Sequence, residues 1–317
     1  MSIDRTSADA PYRGVFASTP CPMTPDLSID RGSLRRMLNH LVEQPGIEGF
    51  LINGHAGENV SMSPADQLDV ARIAMDAVGE RCRIMAGVNI EGDEAAAAHA
   101  AALERLGIHS MLVFPPTNDS GISDTKTAVG HHSAIIEATN VPVLLFQAAI
   151  HTADLAYSPE TLAALVQLPR VVGIKEGSWE VATYEANRRL VQSVAPHVSV
   201  MGSGDEHLFT SACIGSEGAI VSLASVTPKP IVRMLAAVDA GDLTMARFWH
   251  ARIYPIALAI YDDPSSNRTN AKLKACLVAQ GLIDHDDLLP PAFVATAEER
   301  EVLSAALAEA ADEPPPQ

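Results

Sequence analysis

Short runs rich in Val, Ile, Leu and Met recur along the chain, and each is followed by a longer stretch whose apolar residues fall at helical spacing. The runs occupy residues 14–20, 49–54, 83–88, 110–115, 141–147, 171–176, 198–203 and 218–223. They are apolar at nearly every position rather than at alternate ones, the pattern of parallel strands buried on both faces. The intervening stretches carry recognisable helix starts. Ser63-Pro64 and Ser158-Pro159 each set a capping hydroxyl before a proline at the first helical position. Asp30 precedes Leu34, Met37, Leu38, Leu41 and Val42, which recur on one helical face.

Eight strand–helix units predict an α/β fold, a closed (β/α)8 TIM barrel rather than an open doubly wound sheet. Beyond the eighth run the pattern is helical throughout, over 228–239, 242–261, 267–281 and 295–311. The expected organisation is a barrel over 13–239 and a C-terminal helical extension over 240–312, with 1–12 and 313–317 disordered. In such a barrel the chemistry gathers at the C-terminal ends of the strands. Those tips fall at residues 19–22, 53–58, 88–89, 115–118, 146–151, 175–178, 202–205 and 222–225.

Composition narrows the partners. A formal net charge of −17 and a pI near 4.9 exclude a nucleic-acid footprint. The first dozen residues hold no apolar leader, and no segment is apolar over the ~18 residues of a membrane span. Cys21, Cys82, Cys213 and Cys276 are scattered without ligand-like spacing, as in a reducing compartment. A soluble, cytoplasmic protein is the expectation. The eleven histidines show no metal-binding spacing, and His131-His132 is expected on a solvated helix face. Neither a metal nor a cofactor is expected. No G-x-S-x-G elbow is present, and Asp205-Glu206 after the glycines of MGSGDEH would repel a phosphate.

Two stretches carry candidate chemistry. VVGIKE ends an apolar run on Lys175, which is either a lysine reaching past a strand end to pair with Glu176, or an amine desolvated in the barrel mouth. In the second case its pKa falls and it becomes a nucleophile toward a carbonyl carbon. INGHAGE follows the second run. Gly54 and Gly57 would let the chain turn sharply and present amides to an anion, and His55 is either a general acid/base or a solvated loop residue.

With Lys175 and INGHAGE at barrel tips, the sequence resembles the dihydrodipicolinate synthase / N-acetylneuraminate lyase family over about residues 13–290. The family's G-T/S-T-G-E loop appears as Gly54-His55-Ala56-Gly57-Glu58, its A-G-x-G/N turn as Ala86-Gly87-Val88-Asn89, and its lysine strand as Gly173-Ile174-Lys175-Glu176. Ser203-Gly204-Asp205 and Gly218-Ala219-Ile220 resemble its later tips. There are departures. The resemblance expects a proton-relaying tyrosine after the fifth strand, where this chain has Phe146, and an arginine where it has His151. A second relay tyrosine is expected after the fourth strand, where Pro115-Pro116-Thr117-Asn118 offers only a hydroxyl. The loop's paired hydroxyls become His55 and Ala56, and no tyrosine of the five falls at a predicted tip.

The resemblance implies a Schiff-base-forming lyase acting on a small 2-oxo acid or related carbonyl compound by aldol or retro-aldol chemistry. Lys175 would form the imine and His55 serve as acid/base. Amides near Ala56 and Gly57, with Thr117, Phe146, His151 and Ile220, would hold the substrate. Dihydrodipicolinate synthesis itself is not expected without the tyrosine. A dehydratase running through the same imine stays open, as does a non-catalytic ligand-binding barrel. An oxidoreductase or phosphate-using barrel would need the phosphate loop that Asp205-Glu206 argues against. The resemblance also implies a homo-oligomer, a dimer or tetramer.

Overall fold

The structure is a computed structural model, and it describes residues 12–116, 124–149, 155–263 and 266–311. Both expected disordered ends fall largely outside these ranges. Eight parallel strands close into a barrel in sequence order. They are β1 Gly14–Ser18, β2 Ile47–Ile52, β3 Arg83–Val88, β4 Ser110–Val113, β5 Val143–Gln147, β6 Val171–Glu176, β7 Ser199–Gly202 and β8 Gly218–Val221. The helices between and after them are α1 Arg31–Val42, α2 Pro64–Val78, α3 Asp93–Arg105, α4 Thr125–Ala138, α5 Pro159–Leu165, α6 Val181–Val194, α7 Leu208–Ile214 and α8 Pro228–Asp239. The TIM barrel expected from the sequence is therefore the observed fold. Several strands are a residue or two shorter than their apolar runs, because the runs continue into the buried tips.

Both faces of the strands are buried, which is why period-2 alternation is missing from the sequence. Inward residues such as Phe16, Leu51, Met85, Leu112, Leu144, Phe146, Met201 and Ile220 fill the barrel as one cluster. Outward residues such as Ala17, Ile52, Ile84, Val113, Leu145 and Ile174 join the apolar faces of the helices in a larger one. The predicted helix starts form as caps: Asp30, Ser63 and Ser158 accept from the amides of Ser33, Asp66 and Thr161. Gly87 has a separate reason to be glycine. A Cβ there would lie 2.0 Å from the carbonyl oxygen of Asn53, so the tips of β2 and β3 approach this closely only without a side chain.

Three further helices follow: α9 Leu243–Tyr261, α10 Ser266–Ala279 and α11 Ala297–Ala310. α9 packs on α8 and α11, and α10 lies against α11 and the loop that follows β2. Thr296 and Glu299 close a reciprocal capping box at the start of α11. Among the described residues no helix is long and apolar enough to cross a membrane.

His131 and His132 correct the expectation of a solvated face, for both lie buried where α4 meets its neighbours. His131 Nδ1 meets Asp93 at 2.8 Å. His132, with none of its surface exposed, places Nδ1 2.8 Å from the Ala128 carbonyl and Nε2 3.2 Å from the Tyr157 hydroxyl. The neutral ring satisfies both contacts by donating from Nδ1 and accepting at Nε2. Burial pushes its pKa down to about 4.

A histidine whose folded pKa lies below its unfolded value contributes stability that is complete above the unfolded pKa and is lost as pH falls toward the folded one. Acidification from pH 6.5 to 4 should therefore remove about 3 kcal/mol through His132. Urea midpoints at pH 7 and pH 4.5 should drop with acid in the wild type and drop less in His132→Gln. Equal drops in the two proteins would show that another group governs acid stability.

Candidate active site

Lys175 is the fifth residue of β6, and the pleat turns it toward the barrel interior while Glu176 points the other way. Glu176 is held on the outer side by Asn187 Nδ2 at 2.8 Å and Ser178 Oγ at 3.0 Å. The snorkelling lysine paired with Glu176 is thus not what forms. Only 9% of Lys175 is exposed. Desolvation lowers its pKa to about 8, against the opposing pull of the Asp205 carboxylate. Asp205 is itself buried after β7, where Oδ1 accepts from the Leu223 amide at 2.9 Å.

Phe146 is the register partner of Lys175 across β5 and β6, and the ammonium stands 5.6 Å from the centre of its ring. That ring also meets Phe114 at 4.9 Å and His55 at 5.3 Å, edge-on in the second case. His55 and Phe114 are 4.8 Å apart. The three rings form one wall beside the amine. His55 opens to solvent at the mouth, yet protein encloses the rest of the ring. That enclosure, and then the nearby Lys175 charge, lowers its pKa. Water reaching its open side limits the extent of the shift, but the direction leaves a neutral imidazole at pH 7.

The loop bearing His55 is a 3-10 turn over His55–Gly57. Its glycines are not its left-handed residues. Those are Asn53, with φ of 53°, and Glu58, with φ of 58°. Gly54 is needed for room, since a Cβ there would crowd Leu51 and Ser18 at 3.1 Å. The turn spends the amides of Gly57 and Glu58 on Gly54 and His55 carbonyls, which leaves those of His55 and Ala56 outside its own ladder. Gly57 therefore does not offer the free amide expected of it, and Ala56 does not make that bond.

The strain at either end of the loop is held by side chains. Asn53 Nδ2 donates to the Gln67 carbonyl at 2.9 Å. Glu58, 3% exposed, is ion-paired with Lys274 of α10, which is 0% exposed. The same Lys274 donates to the Asp287 carbonyl at 2.6 Å, and Glu58 Oε2 accepts from the Leu289 amide at 2.7 Å. Asn270, one turn earlier on α10, donates to the His55 carbonyl at 2.9 Å. Nothing in the sequence pattern of α10 announced its contacts with the β2 loop, which join residues more than two hundred positions apart.

Ile220 sits in the inner cluster with Phe16 and Met201, sealed from the mouth with no exposed surface. Thr117 and His151 lie outside the described residues. No described tyrosine lies in a strand tip along the chain, but Tyr261 reaches one in space: its hydroxyl is 2.6 Å from Ser222 Oγ, one residue past the end of β8. Sequence spacing missed it because it arrives from the end of α9. Among the described residues no cluster of three or more His, Cys, Asp or Glu side chains is placed to hold a metal ion.

A closed barrel with a buried, pKa-lowered lysine at a strand tip defines a candidate class I, imine-forming site. Residues 11–310 match the Dihydrodipicolinate synthetase family, and the chain belongs to that family. It is similar to a 4-hydroxy-tetrahydrodipicolinate synthase of Kineococcus radiotolerans, 29% identical over 96% of both chains. A second such synthase, from Streptomyces coelicolor, is 27% identical over 96% of this chain and 97% of its own. Among solved structures, the prophage protein YagE of E. coli K12 superposes with a TM-score of 0.86 at 21% identity, over 95% of this chain and 99% of its own. YagE belongs to the dihydrodipicolinic acid synthase family and was solved with pyruvate.

Removing Lys274 alone would leave Glu58 charged and buried. Lys274→Met should cost about 3–5 kcal/mol in urea unfolding. Adding Glu58→Gln should recover much of that loss, since the neutral amide needs no counter-ion. If the double variant is no more stable than Lys274→Met, the ion pair is not what holds the loop.

Proposed function

We propose that the protein is a Schiff-base-forming lyase that makes or breaks a carbon–carbon bond next to the carbonyl of a small 2-oxo acid. The observation that carries this reading is the Lys175 amine, turned into the barrel, buried, and lowered to a pKa of about 8. At neutral pH an amine of that pKa is roughly a tenth free base, about two-hundredfold more than an ordinary lysine of pKa ~10.4. Family membership and the pyruvate complex of YagE support the same chemistry.

The step begins with attack of the Lys175 nitrogen on the ketone carbon and loss of water to give an iminium. The cationic nitrogen then accepts the electron pair released when a bond to the neighbouring carbon breaks. Neutral His55 takes a proton from that carbon or from a hydroxyl beyond it. The His55 and Ala56 amides, unspent by their own turn, face an anionic substrate group. Phe114 and Phe146 give the site an apolar wall that favours a hydrocarbon flank on the substrate.

The relatives named above are 4-hydroxy-tetrahydrodipicolinate synthases. We read this chain as diverging from that activity, because Phe146 cannot carry the proton that the resemblance assigns to a tyrosine there. Dehydration of a hydroxylated 2-oxo acid through the same imine is the second reading, favoured by Phe146, which carries no proton, standing opposite Lys175. A homo-oligomeric assembly, a cytoplasmic location and roles for Thr117 and His151 in holding the substrate belong to the same proposal.

Incubation with pyruvate and a panel of larger 2-oxo acids, followed by borohydride, should add mass to the wild type and not to Lys175→Ala. No adduct with any compound would leave a ligand-binding barrel. The initial trapping rate should rise with pH about a midpoint near 8, because protonation below that value removes the nucleophile. Asp205→Asn should move the midpoint lower, since the carboxylate favours the ammonium form. A midpoint unmoved or raised would contradict the assigned role of Asp205.

A further inference from the structure

Tyr261 closes α9, outside the strand–helix units of the barrel, yet its hydroxyl stands 2.6 Å from Ser222 Oγ at the tip of β8. Its ring meets Trp179, in the loop after β6, edge-on with centroids 5.7 Å apart. β7 lies between these two strands in the closed sheet. The tip of β7 carries Asp205, which accepts from Leu223 beside Ser222 and acts on the charge of Lys175. Contacts on both sides thus draw the phenol across the β6–β8 sector of the mouth, the sector in which Lys175 stands. The other tyrosines are elsewhere. Tyr12 packs on Phe16 and Arg83 at the opposite end of the barrel, Tyr157 and Tyr184 lie behind the sheet, and Tyr254 is exposed on α9.

We propose that the Tyr261 phenol, hydrogen-bonded to Ser222, is the proton donor for imine formation at Lys175. This rests on the Schiff-base reading above. The Lys175 nitrogen bonds to the ketone carbon, and an N–H proton passes to the ketone oxygen to give a carbinolamine. For that hydroxyl to leave as water it needs one more proton. The phenol supplies it, the C–O bond breaks, the nitrogen lone pair closes C=N, and an iminium remains beside a phenolate. Hydrolysis reverses each step and returns the proton to the phenol.

Among the described residues, the other candidates at the mouth fit this role poorly. His55 is neutral at pH 7 and is poised to take a proton rather than give one. The hydroxyls of Ser18, Thr19 and Ser203 are far weaker acids than a phenol of ordinary pKa ~10. Either oxygen of the Ser222–Tyr261 pair can donate, so Ser222 either fixes the phenol's direction or relays a proton along this bond.

The test uses the full-length protein with pyruvate as probe, quenched by borohydride at timed intervals and read by intact mass. Wild type should accumulate adduct and Lys175→Ala none. Tyr261→Phe should reach the wild-type final extent, but more slowly by ~10²-fold or more. Ser222→Ala should slow it less, by about tenfold. A proton donor speeds formation and hydrolysis alike, so the final extent does not move, whereas loss of a packing group would change the extent or the unfolding temperature. Tyr261→Phe labelling at the wild-type rate overturns the proposal. So does a slow variant with a reduced final extent and a lowered unfolding temperature, which assigns Tyr261 a packing role. A wild type that never labels removes the Schiff-base reading and the proposal together, an outcome distinct from both.

Discussion

A primary amine turned into the apolar interior of a closed barrel loses much of its hydration, and the candidate site is organised around that cost. Desolvation takes Lys175 down to a pKa of about 8, and the buried Asp205 carboxylate keeps it from falling further. The balance holds the lysine where a free base is available near neutral pH without an unpaired charge in the core. Phe146, opposite Lys175 in register, gives the ammonium a ring face but no proton. The same enclosure and the same charge keep His55 neutral. Desolvation of the amine and its residual charge thus bear on both groups, leaving a lysine partly free base beside a neutral imidazole.

The mouth is built at some conformational expense. Asn53, Glu58 and Trp179 all take left-handed backbone conformations without being glycine, and such residues cost of order 1–3 kcal/mol each. Each is fixed by a contact from elsewhere. Gln67 of α2 holds Asn53, Lys274 of α10 holds Glu58, and Tyr261 of α9 packs on Trp179. Two of these three come from the C-terminal helices. The extension is thus part of the site's construction, and it fixes the loop that carries His55 through Asn270 as well.

Membership of the dihydrodipicolinate synthetase family agrees with the barrel, but a barrel of this kind hosts different chemistries by varying the loops at one end. The particular arrangement here, a neutral imidazole and two phenylalanine rings on one side with a phenol and an indole on the other, is a property of this chain's loops and helices.

Much of the architecture was legible in the residues alone. Strands buried on both faces leave continuous apolar runs, and capping residues at Asp30, Ser63 and Ser158 mark helix starts because the first amides of a helix need acceptors. Eight such units were enough to give the barrel, and the place of Lys175 at the end of one was enough to single it out. What the sequence could not give were the contacts between distant positions. His131 and His132 read as polar surface because periodicity does not show what packs on a helix's other side. The glycines of INGHAGE read as the points of a sharp turn, while the left-handed conformations fall on Asn53 and Glu58, where tertiary bonds hold the strain. Tyr261 read as remote because it follows β8 by some forty positions, and only the return of α9 over the barrel brings its hydroxyl to Ser222. Local pattern records what each segment buries; which segments meet, and so which groups share a proton or a charge, is decided by the closing of the fold.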